Sequence, residues 1–307
     1  MKQSLIILLL VMYSVILLAA QLIVHTNDGV QHPFNLSDIA SITFAAEPGP
    51  ENFVQVPTGT YTMGDTNGGG NSDELPTHSV TLNSFYMSKY EVTQGDYQAI
   101  MGSNPASGSG VGANYPVYNV SWYSTIKYCN LRSIYDGLTP VYSINNSTDP
   151  ASWGDVPTFN SNAWNAVTCN WTANGYRLPT EAEWEFAARG GTSTPDYLYS
   201  GSNDVNVVAW YTSNSSSSSH VVGNKEANVL GIYDMSGNVY EWCWDWHGDY
   251  SSNPSSNPTG ASSGSTRELR GGCWYMSASN CRVSCRDWSA PYNISSRFGF
   301  RLCRAAN

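Results

Sequence analysis

The chain has 307 residues and a formal net charge of −10, with only 12% of its residues charged. A net acidic surface repels phosphate backbones, which argues against nucleic acid as a partner. Eleven Trp and twenty Tyr are too much ring surface for a disordered chain and enough to build a sizeable core.

The chain opens "MKQSLIILLLVMYSVILLAAQ". Lys2 supplies a short positive region, Leu5 to Leu18 an apolar run, and Ala19-Ala20 a small-residue cleavage site, so residues 1–20 read as a signal peptide. The competing reading is an uncleaved anchor, because Leu5 to Ala20 is only slightly short of a membrane span. With cleavage, the mature chain is secreted or displayed outside the cytoplasm without membrane insertion. It then meets an oxidising compartment, and seven cysteines, an odd number, leave at least one unpaired within the chain. Residues 21–50 form a short N-terminal extension and linker, with a hairpin suggested by Val24 and the "NDG" turn. Residues 51–307 read as one loop-rich domain, broken by Gly/Ser/Asn stretches.

Three helices have marked starts. Thr93 caps "VTQGDYQAIMG", which Gly102 stops, and Ser121 starts "VSWYSTIKYCN". Thr180 opens "LPTEAEWEFAARGG", where Glu183 completes a capping box and Gly190-Gly191 end the helix. "HSVTLNSFYM" and "CRVSC" alternate like half-buried strands. The pattern is α+β, with neither strand–helix alternation nor a bundle.

The chemistry concentrates in "RELRGGCWYMSASNCRVSCRD", which holds Cys273, Cys281 and Cys285. These are the parts of a thiol catalyst, the ends of staples, or small buried side chains. If "CRVSC" is extended, Cys281, Val283 and Cys285 share one face and Arg282, Ser284 and Arg286 the other. Cys281 and Cys285 then lie roughly 13 Å apart at ~3.3 Å per residue, too far for a disulfide. The five histidines are scattered singly, without paired-ligand spacing. No nucleophile elbow, P-loop or dinucleotide fingerprint is present.

Seven segments, in order, resemble one family: "FVQVPTGTYTMGD", "ELPTHSVTLNSFYMSKYEVTQGDY", "YPVYNVSWYSTIKYC", "NGYRLPTEAEWEFAARGG", "NVLGIYDMSGNVYEWCWDW", "LRGGCW" and "FGFRLCR". The family is that of the formylglycine-generating enzyme, or sulfatase-modifying factor. The resemblance implies a complex C-type-lectin-like fold, loop-rich with little regular secondary structure. Its active members oxidise a sulfatase cysteine to formylglycine with oxygen and Cu(I) held by two thiolates. Matched on Gly271-Gly272, the second thiolate falls on Cys281 but the first falls on Met276. Cys273 stands where the family has an active-site Ser, so Cys273 with Cys281 is the remaining candidate catalytic pair. The resemblance also implies a Cys129–Cys303 disulfide, whereas a second family disulfide would need a cysteine at Ala187. Cys169 and Cys243 are most simply core residues. A calcium loop is implied at "YDMSGNVYEW", with side-chain oxygens from Asp234 and Glu241 and carbonyls from Gly237 and Val239. This mixture of carboxylate and backbone oxygen suits calcium; the plain alternative pairs Glu241 with an arginine. A second family calcium loop would begin at Asn206, but lacks its acidic residue. The sequence thus reads as an exported, non-oxidase binding or accessory module whose ligand is a protein or a carbohydrate. The alternative is a copper-dependent formylglycine-generating oxidase.

Overall fold

The computed structural model describes residues 21–25, 31–35, 51–192 and 195–306. The leader expected at residues 1–20 and the linker expected before residue 51 lie outside the described residues. The chain divides into two compact units, 1–48 and 49–307. In the first, β1 (Gln21–His25) pairs antiparallel with β2 (Gln31–Asn35), Gln21 lying opposite Asn35.

The second unit begins with β3 (Phe53–Val56) and β4 (Gly59–Met63), followed by β5 (His78–Leu82) and β6 (Phe85–Ser88). The helices α1 (Gln94–Met101) and α2 (Trp122–Tyr135) come next, then β7 (Tyr142–Ser143), α3 (Asn162–Asn165), β8 (Thr168–Cys169), α4 (Glu181–Ala188) and α5 (Val205–Val208). The chain closes with β9 (Tyr240–Trp246), β10 (Ser255–Ser256), β11 (Arg267–Arg270), β12 (Arg286–Ser289), β13 (Phe298–Gly299) and β14 (Cys303–Ala305).

Three small sheets carry this unit. In one, β6 lies between β3 and β14, so the first and last strands meet on a shared neighbour. In the second, β5 lies between β4 and β10, and in the third the order is β12-β11-β9-β13. Every residue of β9, "YEWCWDW", is buried. The strand is central in its sheet and covered on both faces: Trp122 Nε1 of α2 donates to the Cys243 carbonyl at 2.8 Å, and Trp184 Nε1 of α4 donates to Glu241 Oε2 at 2.7 Å.

The three marked helices start where their caps predict. Thr93, Ser121 and Thr180 each accept a hydrogen bond from the backbone three residues on, and the capping box of Thr180 and Glu183 is complete. Gly102, at φ 79°, ends α1 in the left-handed conformation that glycine adopts without a Cβ penalty.

Helix α4 departs from the usual amphipathic pattern because all eight of its residues are buried, Glu181, Glu183 and Glu185 included. Each of these carboxylates meets an arginine from elsewhere. Arg177 grips Glu183 with two bonds of 2.6 and 2.7 Å, Arg270 bonds Glu185, and Arg286 bonds Glu181. Arg282 grips Glu74 in the same two-pronged way, with both contacts at 2.6 Å. A buried carboxylate left alone costs several kcal/mol, so these pairs are what allow charge inside the domain.

The strand expected at "CRVSC" is not formed. Ala278–Cys281 is a 3-10 turn, and Cys285 N–H then bonds back to the Arg282 carbonyl at 3.1 Å. All five residues are buried, so the expected division into inner and outer faces fails. The cause is the pairing just described: Arg282 and Arg286 turn inward toward Glu74 and Glu181 instead of toward water.

Candidate functional site

The segment that follows β11 turns at Gly271 and Gly272, both at positive φ (94° and 73°). A Cβ on Gly272 would stand 2.7 Å from the Asn280 carbonyl oxygen and 2.9 Å from Cys281 Sγ. The Cys281 thiol therefore lies against the turn that carries Cys273. Both side chains are fully buried, and Cys285 is nearly so. Met276 N–H closes the turn on the Cys273 carbonyl at 3.0 Å. Burial pushes the Cys273 thiol up to about 12 and Cys285 to about 11. Cys281 is raised further, by burial and then by its two neighbouring thiols. Burial thus disfavours the thiolate as a free nucleophile, while a bound metal ion would deprotonate its own thiol ligands. Met276, at the first ligand position, directs its sulfur toward Arg297 Nη1 at 4.0 Å. A cation beside a neutral thioether does nothing to favour a second one. With methionine at the first ligand position, the family's pair of thiolates is incomplete in this chain.

Cys129 and Cys303 are free thiols in the structure, as are the other five cysteines. The implied disulfide between them is not formed. Cys129 packs with the α2 side chains and Tyr142, while Cys303, on β14, faces Glu183 Oε2 at 3.9 Å.

The expected calcium loop is brought together around β9. Gly237, at φ 82°, leaves no room for a Cβ, which would stand 2.3 Å from the Trp210 carbonyl. Asp234 is buried, and its Oδ2 accepts Gly223 N–H at 2.7 Å. Glu241 takes the alternative reading: Arg301 grips it at 2.6 and 2.7 Å, and Trp184 donates to it as well. Sequence reasoning missed a third carboxylate here. Buried Glu91 accepts from Val239 N–H at 3.1 Å and from Asn238 Nδ2 at 2.7 Å. Three carboxylates thus face one guanidinium, Arg301. Burial, then repulsion from Asp234 and Glu241, lifts Glu91 well above the usual carboxylate range. Burial lifts Asp234 to about 6. No signal of periodicity could have placed Glu91, which lies 143 positions before Asp234 (234 − 91). With Glu241 already bound to Arg301, the donors of the expected loop that remain for a cation are Asp234 and the carbonyls of Gly237 and Val239. Among the described residues, no three His, Cys, Asp or Glu side chains converge as a metal-binding group.

The second loop is filled from within. Lys225 Nζ donates to the Asn206 carbonyl at 2.5 Å, and Glu226 N–H donates to the Val207 carbonyl at 3.1 Å. The same ammonium lies 4.1 Å from the centre of the Trp210 ring, which stacks on His220. An ammonium stands where an outside cation would have to bind.

The same carboxyl-terminal segment also presents apolar groups to water. Tyr275, Trp288 and Ile294 are 61%, 43% and 63% exposed. Ile294 and Tyr292 line a groove with Val156, Pro157 and Thr158, next to Phe159, itself 69% exposed. Isolated exposed apolar side chains are ordinary, but several on one buried-anchored loop mark a candidate contact face.

A loop-rich α+β domain of this kind, with a complex C-type-lectin-like architecture, is the fold of the formylglycine-generating enzymes and their relatives. The sequence matches the sulfatase-modifying factor enzyme 1-like domain over residues 41–306, and the chain belongs to that family. It is similar to the chaperone protein LppX of Paenibacillus barcinonensis, 42% identical over 67% of this chain and 75% of that protein. It is also similar to the formylglycine-generating enzyme of Streptomyces coelicolor, 28% identical over 86% of this chain and 94% of the enzyme. The chain spans as little as 21% and as much as 94% of the curated relatives it matches. Among solved structures, Treponema denticola variable protein 1 superposes with a TM-score of 0.76 at 38% identity, covering 82% of this chain and 94% of that one. Among the described residues no helix is long and apolar enough to cross a membrane.

Proposed function

We propose that the chain is an exported, non-oxidase member of this family that binds a protein ligand through the exposed side chains of residues 275–297 and the adjoining loop at 156–159. One observation carries the reading. The position of the first copper thiolate is a methionine beside Arg297, and the neighbouring thiols are buried. The names of two relatives, a chaperone protein and a variable protein, support a scaffold that meets other proteins over a scaffold for oxygen chemistry. A carbohydrate is the other ligand class that an aromatic face can hold. Calcium belongs to the proposal as a structural ion at Asp234.

An anaerobic Cu(I) titration of the reduced protein against a competing chelator tests the first half. Cys273→Ser and Cys281→Ser run beside the parent. No one-to-one binding is expected; tight binding that either substitution abolishes would restore the oxidase reading. For the contact face, Ile294→Asp and Tyr275→Ala are expected to abolish capture of a protein ligand from the cell surface while leaving the melting temperature unchanged. Retention on a glycan array, lost in the same variants, would replace protein by carbohydrate.

A further inference from the structure

Beyond the N-terminus of α4, the end of β9 and the loop 249–261 enclose an open cavity of about 330 Å³ that the reading above does not use. Asp245 lines it and is 3% exposed. One hydrogen bond reaches its carboxylate, from Glu181 N–H to Oδ2 at 2.9 Å. A carboxylate has about four acceptor sites, so one amide leaves Oδ1 without a partner among the described residues. Ser255, on the same wall, has a buried hydroxyl with no partner either. Buried polar groups are normally bonded, so the orphaned Ser255 hydroxyl, beside an Asp245 oxygen free to accept another donor, points to something that belongs between them.

The charge around the cavity says what that is. Glu181 lies on the wall, held by Arg286 Nε at 2.7 Å and Tyr250 Oη at 3.1 Å. Arg286 is fully engaged, since it also donates to Glu268 and to the carbonyls of Asp73 and Gly248. Asp245 has no such partner. The groups that face it are Glu181 and Glu183 from α4, and Glu268 and Arg267 from β11. Burial and the neighbouring Glu181 lift it well above the ordinary carboxylate range. The remaining walls are mixed: Met63, Ala182 and Trp246 are apolar, and His78, Asp249 and Asn253 add polar groups. No three metal-ligating side chains converge among the described residues. At this volume the space is small-molecule sized.

We propose that this cavity is a binding site for a small organic ligand carrying a primary ammonium group, which pairs with Asp245 while Met63, Trp246 and Tyr250 enclose its carbon frame. An amino sugar and a lysine-type side chain share that chemistry. Only the protonated amine pairs with the Asp245 carboxylate, so binding weakens as pH rises through the amine's own pKa.

Isothermal titration calorimetry of the full chain tests the site with glucosamine and Nα-acetyl-lysine methylamide. N-acetylglucosamine and Nα-acetyl-norleucine methylamide are the neutral controls. At least one amine is expected to bind. Which amine binds tells the two sources apart. Asp245→Asn retains an acceptor for Glu181 N–H and is expected to weaken the amine at least about tenfold, or roughly 1.4 kcal/mol. Asn253→Trp, at the exposed rim, fills the mouth without touching the core and is expected to abolish binding. Equal binding of the neutral controls, an unchanged affinity in both variants, or no binding of either amine at about 0.1 M, where the free energy would be only about 1.4 kcal/mol, would each overturn the proposal and leave a water-filled cavity.

Discussion

Arg267→Met is expected to stabilise the domain, although it removes a fully desolvated charge. Arg267 is 2% exposed and forms no ion pair among the described residues. Its guanidinium carbon lies 3.4 Å from the Trp246 ring centre and 3.7 Å from that of Trp122. Nη1 donates to the Trp244 carbonyl at 2.5 Å, and Nε has no partner. Burial lowers its pKa from 12.5 to about 9, which amounts to about 5 kcal/mol against the charged form. The two indole faces return about 2 kcal/mol. Methionine would leave the Trp244 carbonyl unpaired at a cost of about 1–2 kcal/mol. The balance favours the variant by about 1–2 kcal/mol, or roughly 2–8 °C in a domain of this size. The sign of the pH dependence is fixed as well. A base whose folded pKa is depressed opposes folding below that pKa, and the opposition fades as pH rises from about 9 toward 12.5. The advantage of Arg267→Met should therefore shrink by up to about 1.4 kcal/mol per pH unit above 9. Urea denaturation followed by tryptophan fluorescence at pH 7 and pH 10 measures both effects. A variant that loses stability at pH 7 would show that the indole cage outweighs desolvation, and would refute the reasoning.

Arg301→Met should do the opposite, because it leaves Glu241, Glu91 and Asp234 without their shared guanidinium. A loss of about 3–5 kcal/mol in urea is expected. Asp234→Asn tests calcium. A carboxylate raised to about 6 opposes folding above that pH and ceases to do so below its unfolded value. In chelator at pH 8 the variant should therefore be more stable by about 2–3 kcal/mol, with the difference gone near pH 4. Millimolar calcium should then raise the melting temperature of the parent and not of the variant; a parent that calcium leaves unchanged at pH 8 removes the ion from the proposal. Thr180→Ala should cost about 1 kcal/mol through the lost cap of α4, read from the shift in urea midpoint.

How much of this was legible depended on whether the cause was local. Thr93, Ser121 and Thr180 announced their helices because a cap and its amide lie three residues apart. The helix stop at Gly102 was equally local, and the resemblance carried the architecture as a whole. "CRVSC" misled because its alternation is real but its arginines have distant partners: Arg282 meets Glu74, 208 positions away. The capping box gave Glu183 a local role, but the burial of Glu181, Glu183 and Glu185 depends on Arg286, Arg177 and Arg270, which arrive from other elements. Glu91 and Asp245 were invisible for the same reason. Neither lies in a motif that specifies what it will face, and only the folded chain brings their neighbours in.

The carboxyl-terminal segment carries a division of labour with evolutionary weight. Between Cys273 and Arg301, the side chains that hold the loop in place point inward, and Arg282, Arg286 and Arg301 are each fastened to an acid elsewhere in the domain. Tyr275, Trp288 and Ile294, interleaved with them, make no ion pair; Trp288 stacks on His247 and Tyr275 packs edge-on to Trp274 at the surface. Substitution at the outward positions leaves the fastening untouched, so new specificities can be explored at almost no cost to folding. The inward positions form a fixed frame on which the outward ones can be rewritten.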